Sequence, residues 1–128
     1  MSNRKCLFEL LGMIEGELLG TEQIGFRKWF RHSGMHVYLR IEAKRIRGKA
    51  YRSLTLSNVE FDDVARGLGL FSALLVGLEW TAFKRSWIFT VADISSRRVL
   101  AEAIARGYVH IGDHSDHLNY ALLFDGQS

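Results

Sequence analysis

The chain has 128 residues, 48% hydrophobic and 24% charged, a balance that excludes a disordered or low-complexity polymer and fits one domain over residues 1–128. At this length roughly 65–70% of the unfolded surface is buried, so the core needs neither disulfides nor metals. Lys and Arg number 17 against 14 Asp and Glu, too mild a surplus to imply nucleic acid by itself, and Cys6 as the only cysteine excludes an internal disulfide and fits a reducing, cytoplasmic setting.

Between residues 3 and 19, Leu7, Phe8, Leu10, Leu11, Met13, Ile14, Leu18 and Leu19 recur at helical spacing, which predicts an amphipathic helix ending near Gly20. Arg4 and Lys5 ahead of Leu7 give the start the look of a targeting segment. Glu9, Glu15 and Glu17 interrupt it and no small-residue cleavage site follows. No run of about 18 apolar residues occurs anywhere, so no membrane span is expected. Residues 24–31, with Phe26, Trp29 and Phe30, read as a short strand, and Ser33-Gly34 as a turn. Residues 36–46 alternate: Val37, Leu39, Ile41 and Ala43 on one side, Tyr38, Arg40, Glu42 and Lys44 on the other. Gly48 turns the chain, and residues 50–61 return as the hairpin partner.

The returning strand changes parity. Leu54 and Leu56 share one face by alternation, whereas Val59 and Phe61 share the opposite one. One extra residue near Ser57-Asn58 reconciles the two, which predicts a β-bulge. After Asp62-Asp63, the stretch Arg66-Gly67-Leu68-Gly69 opens a helix whose apolar face is Leu70, Phe71, Leu74, Leu75, Leu78 and Ala82. Residues 87–94 form an apolar strand, and Ser95-Ser96 offers a cap for a helix with Val99, Leu100, Ala103 and Ile104 as its buried stripe. Gly107 stops that helix, and residues 108–112 and 118–124 pair as a final hairpin. Trp29, Trp80 and Trp87 read as core. The order predicts an α/β fold with a mixed, mostly antiparallel sheet, a central strand–helix–strand crossover and flanking helices.

The glycine stretch between strand and helix carries chemistry. Glycine lets backbone N–H groups approach a ligand, and a helix N-terminus supplies unpaired donors and partial positive charge, so the pair suits a pyrophosphate. From about residue 35 to 124 the chain resembles the GNAT superfamily of acyl-CoA-dependent N-acyltransferases. The resemblance rests on Arg66 and Gly69 of the loop motif, Leu74-Leu75 and Leu78-Glu79 of the following helix, and Ile104-Ala105-Arg106-Gly107-Tyr108 before the penultimate strand. It implies acetyl transfer from acetyl-CoA, as cosubstrate, to an amine of a small molecule or protein. It places Arg66, Gly67, Leu68, Gly69, Leu70, Phe71 and Ser96 at the cosubstrate, with the Phe61 N–H at the thioester oxygen.

A lysine-like acceptor is mostly ammonium at neutral pH, and making it nucleophilic costs roughly 4–5 kcal/mol without a base. Glu60 is the candidate base, with Asp62 and Asp63 as alternatives. Three departures bear on activity: Phe71 stands where the motif has Gly or Ala, Ala103 where a general-acid tyrosine is common, and Ser96 where asparagine is common.

Asp113-His114-Ser115-Asp116-His117 has metal-ligand residue types, but in a hairpin turn with no distant ligands it reads as ordinary surface, and no metal is expected. His114 or His117 could still line an acceptor groove. Arg40, Lys44, Arg45, Arg47, Lys49 and Arg52, with Tyr38 and Tyr51, form a basic aromatic hairpin. That hairpin supports a rival function, a GNAT-fold binding module without catalysis that holds a protein or nucleic acid. A second copy of the chain stays open as a partner.

Overall fold

The computed structural model describes residues 3–62, 69–111 and 118–124. Helix α1 (Asn3–Leu19) precedes strands β1 (Arg27–His32), β2 (Met35–Ile46) and β3 (Lys49–Phe61). Helix α2 (Leu70–Lys84), strand β4 (Ile88–Val91), helix α3 (Arg97–Ala105), β5 (Val109–Ile111) and β6 (Asn119–Leu122) follow. The strands form one six-stranded sheet in the order β1-β2-β3-β4-β6-β5. Only β3 and β4 run parallel, joined by α2 as the crossover; the other pairs are antiparallel. Among the described residues no helix is long and apolar enough to cross a membrane.

Two-residue turns set both N-terminal hairpins. Ser33 and Gly34 have φ of 50° and 81°, and Arg47 and Gly48 have 52° and 82°. Positive φ at both central residues is the turn whose twist matches the flanking strands, and glycine supplies its second position without strain. β1 starts at Arg27 rather than Ile24, because the chain turns through Gly25 at φ 101° before it can extend.

The core lies between the sheet and one layer of helices. Val37, Leu39 and Ile41 of β2, Leu54 and Leu56 of β3, and Phe89 and Val91 of β4 meet Leu10 and Ile14 of α1 and Leu74, Leu75 and Leu78 of α2. The helices are tied laterally as well. Glu15 of α1 accepts from Arg85 at 3.0 and 3.3 Å and pairs with Lys84 at 3.1 Å. Burial pushes the Glu15 carboxyl up, but these hydrogen bonds and one from Thr81 outweigh it and hold the group below its ordinary value.

α1 packs against α2 at Gly77. A β-carbon there would fall 2.8 Å from Leu11 Cδ2, 3.2 Å from its Cγ and nearer still to Cδ1. Glycine costs about 1 kcal/mol in a helix interior relative to alanine, so contact rather than propensity explains it. Gly77→Val should destabilise the chain by about 1–3 kcal/mol. Leu11→Ala in the same chain should recover part of that loss in urea denaturation; strict additivity of the two changes would sink this account.

Four expectations need correction. Trp80 is 58% exposed and Ile104 55% exposed, because the apolar stripes of α2 and α3 are wider than the surface each helix buries. Ala43 is exposed because β2 has by then run past the helix layer. Trp29 is half-buried on the outer face of β1, against Tyr38 at 5.2 Å between ring centroids, and is not core.

A second, smaller cluster forms away from the helices. Ile46, at the end of β2, meets Ile88 of β4, Ile111 of β5 and Ala121 of β6, so the sheet coils until the β2–β3 hairpin nears the β5–β6 hairpin. Beside it Ser53, Thr55 and Thr90 are fully buried, with the Ser53 hydroxyl 2.8 Å from that of Thr90 and 3.0 Å from that of Thr55. Three satisfied hydroxyls bind β3 to β4 at their first half.

Candidate acyl-CoA cleft

The parity change in β3 corresponds to a register shift. Tyr38 lies opposite Asn58, but its neighbour Leu39 lies opposite Leu56, so Ser57 is the extra residue. The bulge sits where parallel pairing stops. β3 and β4 pair from Ser53–Ile88 to Leu56–Val91, and the last link is the Ala92 N–H donating to the Leu56 carbonyl at 2.9 Å. β3 then continues along β2 to Phe61. The chain after β4 turns the other way: Asp93 takes φ 53°, its N–H donates to Asn119 Oδ1 at 2.9 Å, and the Ile94 N–H donates to Leu118 O at 2.9 Å.

The two parallel strands therefore part company at Ser57. The gap is a cleft of about 140 Å³ with Leu56, Ser57, Asn58 and Val59 on one wall and Val91, Ala92, Asp93, Ile94, Ser95 and Ser96 on the other. Phe71 of α2 and Val99 of α3 also line it. The Ser57 Oγ is buried and has no hydrogen-bond partner. An orphaned buried hydroxyl costs roughly 1–3 kcal/mol, and its place beside the cleft suits a polar ligand group.

α2 opens above the cleft. Its N-cap, Gly69, has φ 70° and gives no side-chain cap, so no side chain of that residue competes for the first amides of the helix. Among the described residues beyond its chain neighbours, nothing lies within 4 Å of a β-carbon built at Gly69; its left-handed backbone calls for glycine. α3 is capped differently: the Ser96 hydroxyl accepts from the Val99 N–H at 3.3 Å, which leaves its own proton free to donate.

Of the residues singled out from the sequence, Phe71 and Ser96 line the cleft, Gly69 caps α2 beside it, and Leu70 is buried beneath. Arg66, Gly67 and Leu68 lie outside the described residues, as do Asp63 and residues 113–117. Glu60 and Phe61 stand further along β3 and do not line the cleft. Glu60 is exposed opposite His36, and Phe61 is half-buried opposite Met35. Asp62 lies 3.1 Å from His36 Nε2.

Sequence reasoning missed Asp93 and Ser95. They follow a strand end with no periodicity, and only the deviation of β4 toward β6 brings them to the gap. Ala103 is buried, and Tyr108 is buried too, its hydroxyl donating to Glu79 Oε2. Burial first and then that carboxylate push the Tyr108 phenol well above its ordinary value, so it is locked as a donor. Among the described residues no three His, Cys, Asp or Glu side chains come together as a metal would require.

No protein-family model and no curated protein matches the chain. Solved structures do. A KacTA–DNA complex matches at 19% identity and a TM-score of 0.57 over 88% of this chain and 79% of that one. A mutant AtaT toxin bound to acetyl-CoA and to the C-terminus of the antitoxin AtaR matches at 15% identity and 0.52, over 68% and 57%. A GNAT-family acetyltransferase from Listeria monocytogenes matches at 12% identity and 0.51, over 71% and 64%. The chain thus spans less than two thirds of the AtaT and Listeria proteins. The likeness is one of fold: the chain has the GNAT fold.

Proposed function

We propose that the cleft between β3 and β4 binds acetyl-CoA and that the protein transfers the acetyl group to an amine. The observation that carries this reading is the bulge at Ser57, which ends the parallel pairing and leaves backbone and hydroxyl groups facing a slot for an extended arm. AtaT, with the same fold, is seen with acetyl-CoA bound. Residues from about 35 to 124 would form the acyl-CoA core. The pyrophosphate would lie on the loop and first amides of α2, from Arg66 through Phe71.

In the reaction the amine nitrogen bonds to the thioester carbonyl carbon and the carbon–sulfur bond breaks. Glu60, through water, takes one proton from the ammonium to free the amine. After attack the nitrogen gives its second proton to solvent, and the thiolate leaves with a proton from solvent, or from Ser96, which solvent then reprotonates. The Phe61 N–H faces the developing oxyanion. Calorimetric titration with acetyl-CoA should give saturable binding, followed by turnover on an amine panel. Undetectable binding at millimolar cosubstrate would sink the reading.

A second reading is a GNAT-fold module without catalysis. It is favoured by Ala103, whose methyl is buried where a tyrosine acid is common, and by the bulk of Phe71 in the cleft. Binding of acetyl-CoA without turnover on any amine would select it.

A further inference from the structure

We infer that the outer face of the β1–β2 hairpin binds single-stranded nucleic acid through Arg27, Trp29, Arg31, Tyr38 and Arg40. This inference does not rest on acetyl transfer. Alternation puts Phe30 of β1 into the core and Lys28 and His32 beside α1, where they pair with Glu17 at 3.0 Å and Glu9 at 3.3 Å. Arg27, Trp29 and Arg31 therefore point to the other face, at the sheet's edge. The register sets them against Arg40, Tyr38 and His36 of β2, making three successive cross-strand rows about 6.8 Å apart.

The composition of those rows works against folding. Arg27 lies directly opposite Arg40; like charges in such a pair destabilise a sheet. The fold compensates only in part. Arg40 reaches Glu42 at 3.3 Å, but Lys44 takes the same carboxylate at 3.1 Å, and the Arg40 Nε is buried with no hydrogen-bond partner. Bound phosphates would relieve the repulsion. The middle row is aromatic: Trp29 and Tyr38 pack at 5.2 Å between centroids, and the Arg31 guanidinium lies 4.7 Å over the indole.

Guanidiniums bracketing an aromatic pair match alternating phosphates and bases, since bases stack on rings and on guanidinium planes. A polyacidic peptide would use the cations and leave the rings idle. The wider hairpin cluster is less available: Arg45 donates to the Gly48 carbonyl at 2.7 Å, Lys49 lies over Tyr51, and Arg52 over Trp87.

Fluorescence anisotropy with labelled ten-nucleotide oligouridylate and oligothymidylate tests the site. Three arginine–phosphate contacts should give a slope of log affinity on log salt of about −2. Arg27→Ala, at an exposed position, and Trp29→Ala should each weaken binding at least about fivefold, while Arg52→Ala leaves it unchanged; circular dichroism confirms that each variant is folded. Should Trp29→Ala not fold, Trp29→Leu provides the same comparison. The inference is overturned if neither oligonucleotide binds at low salt, or if folded Arg27 and Trp29 variants bind as the wild type does. Equal competition by polyglutamate or by a duplex of the same length would also overturn it, leaving only a general polyanion surface.

Discussion

Glu79→Ala should lower the unfolding free energy by about 3–5 kcal/mol and the melting temperature by roughly 10–20 °C. Glu79 lies on α2 with its side chain 11% exposed. Arg106 grips it with both arms of the guanidinium, Nε donating to Oε2 at 2.7 Å and the second nitrogen to Oε1, and the Tyr108 hydroxyl donates to Oε2. One carboxylate thus holds the end of α3 and the approach to β5 against α2. Its removal leaves a largely covered guanidinium without its counter-charge and a buried phenol without an acceptor, which is why the expected loss exceeds that of a surface pair.

Glu79→Gln, which keeps an acceptor for Tyr108 but not the charge, should lose about half as much. A change below about 1 kcal/mol in Glu79→Ala would mean the pair is solvent-screened and structurally idle. The phenol adds a pH signature. Its folded value is raised, so it stays protonated where the unfolded tyrosine ionises, and its contribution is complete below about pH 10 and lost as pH rises above that. Near pH 11 the alkaline slope of stability should therefore be shallower in Tyr108→Phe by about 1.4 kcal/mol per pH unit.

Glu60→Gln should reduce turnover on the best amine acceptor by about 10²–10⁴-fold with little change in acetyl-CoA affinity. The carboxylate stands on the bulged strand outside the cleft, so it would act on the acceptor's proton and not on the cosubstrate. The remaining rate should climb with pH, because the free-amine fraction must then come from solution. An unchanged rate removes Glu60 from this role. Equal losses of cosubstrate binding and turnover would point to a structural effect.

Much of the fold was legible because local chemistry and tertiary structure agreed. The Ser33-Gly34 and Arg47-Gly48 turns need positive φ and have glycine to supply it. The helices at residues 3–19 and 70–84 carry their cores at helical spacing. The bulge was legible from Leu54, Leu56, Val59 and Phe61 alone, since an odd insertion in a strand is the economical way to switch parity. Trp80 and Ile104 were misplaced because periodicity finds a stripe without telling how much of it a neighbour covers. The basic cluster was visible as composition, but which cations share a face depends on register: Arg27 and Arg40 meet only once β1 is paired. Part of the cleft was hidden for the same reason, because Asp93 and Ser95 reach it through a backbone path set by Asn119 and Leu118, far along the chain.

The buried hydroxyls and the bulge give β3 two mechanical halves. From Ser53 to Leu56 the strand is bonded on both sides and pinned to β4 through Thr90, so its amides should open only when the whole domain unfolds. From Asn58 to Phe61 its paired neighbour is β2 alone. Ser57 is thus the point at which β3 passes from two bonded neighbours to one, and the amides beyond it should exchange ahead of those before it.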